Sequence, residues 1–434
     1  MRTSVRRLLA AGLLAALAGC AAMTPPLPTP TAAGLNPADL VDPVAEADSC
    51  GPCALQDLYR VAEQIRRERR PAVLPPKRSV LVLSGGGAYG AYSAGVLCGW
   101  TRTGTRPEFD VVTGVSTGAL VAALAFLGPD YDGELRRVYT TLESKDIFRF
   151  RRSVRSLLSE GLADNAPLAR QIESFVSPEN MARLAAEHAR GRRLYVGTTD
   201  LDGRRQVVWD VGAIATQGTP EAAGLIVRVL LASAAIPGFF PPVRIPVSAD
   251  GKLYEERHID GGVTASLFFR MPWVPPERRN DPVAASLYDS DLYIIVAGKL
   301  YPDPEPVRPR TLTIAATSVS TMIYAQTRDE LYKLYTACVL TGMNYRVTAI
   351  PQDFPATAAS TDFDPVEMSR MFDEGVRQAT CGTAWRSTPP GLEAGEHVSQ
   401  RGGVNLTVVP TGPRPAVGPP EPPGLFDLRR PVTR

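Results

Sequence analysis

Histidine is scarce in this chain, with three in 434 residues: His188, His258 and His397. His188 sits in a charged stretch, E-H-A-R-G-R-R, that reads as an exposed helix, and His397 lies in a Gly-rich approach to the C-terminal tail where nothing fixes a side chain. A triad, if there is one, would draw its imidazole from His258 or His397, neither of them well placed. A surplus of charge of one sign is missing as well. The 47 Lys and Arg against 45 Asp and Glu leave a formal net charge of +2, too small to argue for a nucleic-acid partner. Beyond the first twenty residues there is no apolar run long enough to span a bilayer, and no internal repeat. The chain does have enough apolar content for a large core: 44% hydrophobic against 21% charged residues excludes global disorder.

The N-terminus carries Arg2, Arg6 and Arg7, then an apolar run from Leu8 to Gly19, and the run ends in Leu17-Ala18-Gly19-Cys20. That ending resembles the lipobox of bacterial lipoproteins, in which the peptide is cut before a cysteine that becomes lipidated; an ordinary secretory signal is the alternative. Residue 21 is Ala, not Asp, which by the same resemblance favours the outer membrane of a cell envelope. The expected organisation is a signal peptide at 1–19, then a lipidated Cys20, tether and short helix through 75. A catalytic domain at 76–385 and a Pro/Gly-rich tail at 386–434 complete it. Of the other cysteines, Cys50 and Cys53 in C-G-P-C read as a local disulfide. Cys98, Cys338 and Cys381 read as small buried apolar groups, with Cys338 and Cys381 able to pair.

From Ser79 onward strands and helices alternate. Ser79–Leu83 and Phe109–Thr113 are buried-strand patterns, each followed at once by a glycine turn and an apolar helix (Ala91–Trp100 and Gly118–Leu127). This predicts an α/β fold with a mostly parallel central sheet. Leu194–Leu201 and Gln206–Val211 predict a strand pair, Leu225–Ala235 a helix, Leu253–Ile259 a strand and Leu292–Ala297 the last core strand. Long helices are expected over Thr311–Leu340 and Pro365–Ala379.

Three glycine turns carry the chemistry. G-V-S-T-G, Gly114 to Gly118, has the form of the tight strand-to-helix turn that presents a serine, here Ser116, as nucleophile; a helix N-cap is the structural alternative. Gly85, Gly86 and Gly87, with Gly90 following, stand between a strand and a helix, where backbone N–H groups can converge on an anionic oxygen. The same residues fit G-x-G-x-x-G, but a ribose site wants an acidic residue at the end of the second strand, which instead ends in the serine turn, with Asp110 at its beginning. An oxyanion hole is the better reading. I-D-G-G places Asp260 at a strand end before Gly261 and Gly262. Burial would raise its pKa from near ~4 and make it a usable base. His258 precedes Asp260, against the Ser-Asp-His order of α/β-hydrolases, and reads as structural.

At these residues the chain resembles the patatin-like phospholipases, which combine a glycine-rich oxyanion loop, G-x-S-x-G and D-G-G or D-G-A in a three-layer α/β/α fold. The segment A-S-A-A-I-P-G-F-F-P-P, Ala232 to Pro242, also resembles the family's approach to the aspartate strand, and the likeness spans about Ser79 to Ala297. The resemblance implies a serine acyl hydrolase acting on lipid esters, with Ser116 as nucleophile, Asp260 as base and Gly85, Gly86 and Gly87 as oxyanion loop. It implies no cofactor and no metal. The family commonly has Arg before the last loop glycine; Tyr89 in that position removes a cation and leaves the backbone donors. A Ser-His-Asp esterase and a non-catalytic lipid-binding lipoprotein are the competing readings. Lys145–Glu160, where basic and bulky apolar residues interleave, reads either as a membrane-facing stretch or as a solvated amphipathic helix.

Overall fold

The structure is a computed structural model and describes residues 60–61, 64–65, 67–68, 70–71, 73–151, 159–269, 287–301, 307–355 and 359–391. The expected signal peptide with Cys20, the expected tether, Cys50 and Cys53, His397 and nearly all of the expected tail lie outside the described residues, as do 152–158 within the basic-apolar stretch.

The central sheet runs in the order β10-β9-β1-β2-β5-β8-β7, with β6 paired to β5 beside this path. The strands are β1 (Ser79–Leu83), β2 (Val111–Val115), β5 (Arg193–Asp200), β6 (Arg205–Asp210), β7 (Val243–Ala249), β8 (Lys252–Asp260), β9 (Asp291–Lys299) and β10 (Asn344–Ile350). A separate two-residue ladder joins β3 (Arg149–Phe150) to β4 (Ala163–Asp164). β10, β9, β1, β2 and β5 are mutually parallel, whereas β6, β8 and β7 pair antiparallel. The fold is thus mixed α/β on a mostly parallel sheet.

The apolar run of β1 is buried on both faces, as parallel strands require. Leu81 and Leu83 enter the larger core, and Val80 and Val82 the smaller one on the opposite face. Each such side chain contributes about 1.5–3 kcal/mol relative to exposure. The larger core is covered by α1 (Gly90–Arg102), α2 (Thr117–Leu127), α3 (Asp132–Thr141), α4 (Ala166–Phe175), α5 (Pro178–Ala189), α6 (Pro220–Ser233) and α8 (Pro365–Thr380). The smaller is covered by α7 (Thr311–Thr341). Three of these helices start on the same device, a capping side chain followed by proline at the first helical position. Ser177, Thr219 and Asp364 accept from the backbone N–H of Asn180, Ala222 and Val366. Gly342, at φ 77°, ends α7 in the left-handed conformation.

Two strands go beyond the sequence expectation. β10 follows β9, so Leu292–Ala297 is not the last core strand. β7 was hidden by Pro246, which the sheet accepts because β7 is an edge. Cys338 and Cys381 are not joined by a disulfide, and although Cys98 and Cys338 are buried as expected, Cys381 just past the end of α8 is exposed.

α1 and α8 approach closely along glycines. A Cβ on Gly95 would sit 2.0 Å from the Phe372 carbonyl oxygen, and one on Gly375 would sit 2.4 Å from that of Tyr92. Gly95→Ala is expected to force the two helices apart and cost about 1–3 kcal/mol, read as a lower midpoint of urea unfolding.

Candidate active site

β2 ends where its partner strand β5 is still running. Val115 pairs with Gly197, and at the next residue, Thr198, the same edge of β5 is taken over by Asp260 of β8. The last residue of one strand and the last of another are thereby brought nose to nose, and Ser116 and Asp260 share the junction.

Ser116 follows Val115 with φ 56° and ψ −130°, a backbone conformation that costs a non-glycine residue of order 1–3 kcal/mol. The turn is tight because α2 begins directly after it and passes against β1: a Cβ on Gly118 would lie 2.4 Å from the Ser84 carbonyl oxygen. What holds the strained residue is Ser233, the last residue of α6. Its buried hydroxyl accepts from the Ser116 N–H at 2.9 Å and donates to the Gly197 carbonyl at 2.7 Å. Sequence reasoning missed this residue, because a serine in the alanine-rich A-S-A-A reads as helix filler.

Asp260 is buried at 7% exposure, as is Ser116. One carboxylate oxygen accepts from the Gly262 N–H at 2.7 Å, and the residue's own N–H donates to the Ala235 carbonyl at 3.0 Å. Thr199 donates its hydroxyl to the Asp260 carbonyl at 2.9 Å. Burial raises the carboxyl pKa to about 6, against the lowering effects of hydrogen bonds from the Ser116 hydroxyl and the Gly262 N–H. No cation figures among these influences, so withdrawal from water dominates.

Gly85 stands directly over the serine, close enough that a Cβ there would meet the Ser116 Cβ at 3.0 Å. Gly86 has φ 156° and lies against β9, where a side chain would strike the Ala297 carbonyl oxygen at 2.0 Å. The loop is braced from both ends: Ser84 Oγ accepts from the Ala297 N–H at 2.8 Å, and the Ala88 N–H donates to the Ser360 carbonyl at 2.8 Å. Among the described residues, the N–H groups of Gly85 and Gly86 have no backbone acceptor. Gly87 lines an apolar pocket with Ser116. Leu120, Leu124, Ile172, Phe175 and Leu230 are among its walls, and Glu134 and Arg137 are its charged members.

The two described histidines are engaged elsewhere. His258 is fully buried, with Nδ1 3.0 Å from Thr198 Oγ1 and Nε2 3.1 Å from Glu256 Oε2. His188 lies 3.3 Å from Asp210. The structure thus brings Ser116, Asp260 and the Gly85–Gly87 loop together and leaves these imidazoles outside the group.

This is an α/β fold carrying a serine on a strained strand-to-helix turn, beside a buried carboxyl group. Residues 81–273, from β1 to beyond the turn after Asp260, match the family model of the patatin-like phospholipases. Among solved structures the chain is similar to VipD from Legionella pneumophila, at 12% identity over 72% of this chain and 68% of that one, with a TM-score of 0.34. It is also similar to the ExoU–SpcU complex from the type III secretion system of Pseudomonas aeruginosa, at 15% identity over 71% of this chain and 51% of that one, with a TM-score of 0.27. Likenesses this distant carry no weight for function. No curated protein matches the chain.

Replacing Ser233 by alanine leaves a buried N–H and a buried carbonyl at the serine turn without their shared partner. Ser233→Ala is expected to destabilise the protein by about 1–3 kcal/mol in chemical denaturation.

Proposed function

We propose that the protein is a serine acyl hydrolase that cleaves carboxylic esters of lipids, with Ser116 as nucleophile and Asp260 as the single general base. The observation that carries this reading is the meeting of Ser116 with a buried, cation-free carboxyl group at the β2–β8 junction. Ser116 Oγ attacks the ester carbonyl carbon while Asp260 accepts its proton. The developing oxyanion is held by the N–H groups of Gly85, Gly86 and Gly87, each well-aimed donor supplying roughly 3–4 kcal/mol. Collapse of the tetrahedral intermediate expels the alcohol, which takes the proton back from Asp260. A water, deprotonated by the same carboxylate, then releases the fatty acid and regenerates the serine. The Ser116 N–H already donates to Ser233 and is not available as one of these donors. The apolar walls of the pocket at Ser116 suit an acyl chain.

A base must be deprotonated to work. With the Asp260 pKa raised to about 6, kcat/KM for a monomeric ester is expected to fall about tenfold per pH unit below about 6 and to level off above it. Ser116→Ala is expected to abolish both turnover and labelling by a fluorophosphonate, and Asp260→Asn to lower turnover by at least about a hundredfold with the fold retained. Full activity in Ser116→Ala protein would remove the serine from this role.

We also propose that the chain is a lipoprotein held on a bacterial envelope membrane, the outer membrane favoured, through Cys20. L-A-G-C with Ala21 supports this reading. Cys20→Ser is expected to move the protein from the membrane fraction to the soluble one and to remove its acyl groups on mass spectrometry.

A further inference from the structure

Helix α7 has two halves in different surroundings. The C-terminal half is part of the molecule's body: Leu331, Leu334 and Cys338 pack in the smaller core, and the Glu330 carboxylate accepts from the Leu267 N–H at 2.7 Å. At Arg328 the guanidinium lies over the Tyr301 ring, 5.1 Å from its centroid, just past the end of β9. Because β9 runs parallel to β1 and β2, that end is the sheet edge that carries the glycine loop and Ser116. Residues 311–327 therefore run outward from the active-site edge for about 25 Å, at about 1.5 Å per residue, with Ile323, Tyr324, Gln326 and Thr327 half-buried at the base.

The chemistry of this overhang is unusual for a surface helix. T-L-T-I-A-A-T-S-V-S-T-M-I-Y-A-Q-T contains no Asp, Glu, Lys, Arg or His. Ile314, Val319 and Met322 are 49%, 46% and 69% exposed, and at 100° per residue they cover an arc of about 140°. A helix docked by one face on another protein ordinarily keeps charges on its outer face, and here no face has any. The hydroxyls of Ser318, Thr321 and Thr327 donate to the carbonyls of Ile314, Thr317 and Ile323, each at 2.8 Å. These polar groups already have partners without water, which lowers the cost of leaving it. Arg308 and Arg310, both exposed, precede the helix and complement phosphate headgroups. No helix among the described residues, α7 included, is long and apolar enough to cross a membrane.

We propose that residues 311–327 form a lipid-docking arm. It lies at the boundary of headgroups and acyl chains, with Ile314, Val319 and Met322 inserted and Arg308 and Arg310 against lipid phosphates. It brings the Ser116 edge of the sheet to the lipid surface. The arm's role in substrate access rests on the proposed lipid hydrolysis; its binding to lipid does not. With few charges on the arm, binding depends mainly on apolar insertion and favours loosely packed, highly curved bilayers over flat ones.

The test uses the full chain carrying Cys20→Ser and Ser116→Ala, so that neither the anchor nor hydrolysis contributes, and small vesicles of phosphatidylcholine with a minority of phosphatidylglycerol. Adding Val319→Lys with Met322→Lys, both at exposed positions, is expected to lower vesicle affinity by about tenfold in co-flotation. Separately, Met322→Trp is expected to add fluorescence that brominated acyl chains quench. In protein that retains Ser116, the double lysine variant should hydrolyse vesicle lipid about tenfold more slowly while its turnover of a monomeric short-chain ester is unchanged. Undiminished flotation of the lysine variant, or an added tryptophan that escapes quenching, overturns the proposal. So does a dimer, seen by analytical ultracentrifugation, that the lysine substitutions dissociate, since the arm's partner would then be a second copy. If the parent turns over neither ester while flotation and quenching behave as expected, the hydrolase reading fails and the docking arm stands.

Discussion

The site depends on a handover along one edge of β5. Hydrogen bonding fixes Val115 against Gly197 and Asp260 against Thr198, so two strands of opposite direction meet end to end on a third. A slip of one residue in either pairing would turn the serine or the aspartate to the opposite face of the sheet. Ser233 locks the same junction from above by bridging the Ser116 N–H and the Gly197 carbonyl. The distance between nucleophile and carboxylate is thus set by backbone ladders, and long side chains have no part in it.

Burial does for Asp260 what a neighbouring group does in many other sites. Glu330 is the instructive comparison. It too is buried, and its pKa is raised to about 7 chiefly by desolvation, yet it accepts from the N–H of Leu267 and ties α7 to the segment after the Asp260 turn. Among the described residues, Asp260 and Glu330 are the two carboxyl groups shifted upward, and for the same reason. Only one of them adjoins a strained serine, so geometry separates the candidate base from the structural carboxylate.

The parts legible in the sequence are those in which composition and geometry are forced together. β1 and β2 read as strands because both faces are buried, and the turns after them read as functional because backbones approach there at distances that exclude a Cβ. β10 did not, since N-Y-R-V-T-A-I alternates at a sheet edge behind a long helix and lacks a continuous apolar run. Nor did the roles of Ser233 and Glu330: a serine in an alanine-rich helix and a glutamate among charged neighbours look ordinary until distant segments supply their partners. The exclusion of His258 was foreshadowed by its order relative to Asp260, but its engagement by Thr198 and Glu256 exists only in three dimensions.

The brace on the glycine loop has a consequence for how the molecule comes into being. Ser360 receives the Ala88 N–H, and α8 seats against α1 through glycines on both helices, so elements made near the end of the described chain complete those made near its start. The match to the family model stops at residue 273, before Ala297, Ser360 and α8. A nascent chain that has reached that point holds Ser116 and Asp260 but lacks the supports of the loop above them, and its α1 is uncovered. Contacts of such long sequence separation form late and slowly. The site is therefore complete only when these distant segments have docked, and a chain that ends before them would leave apolar surface of α1 exposed.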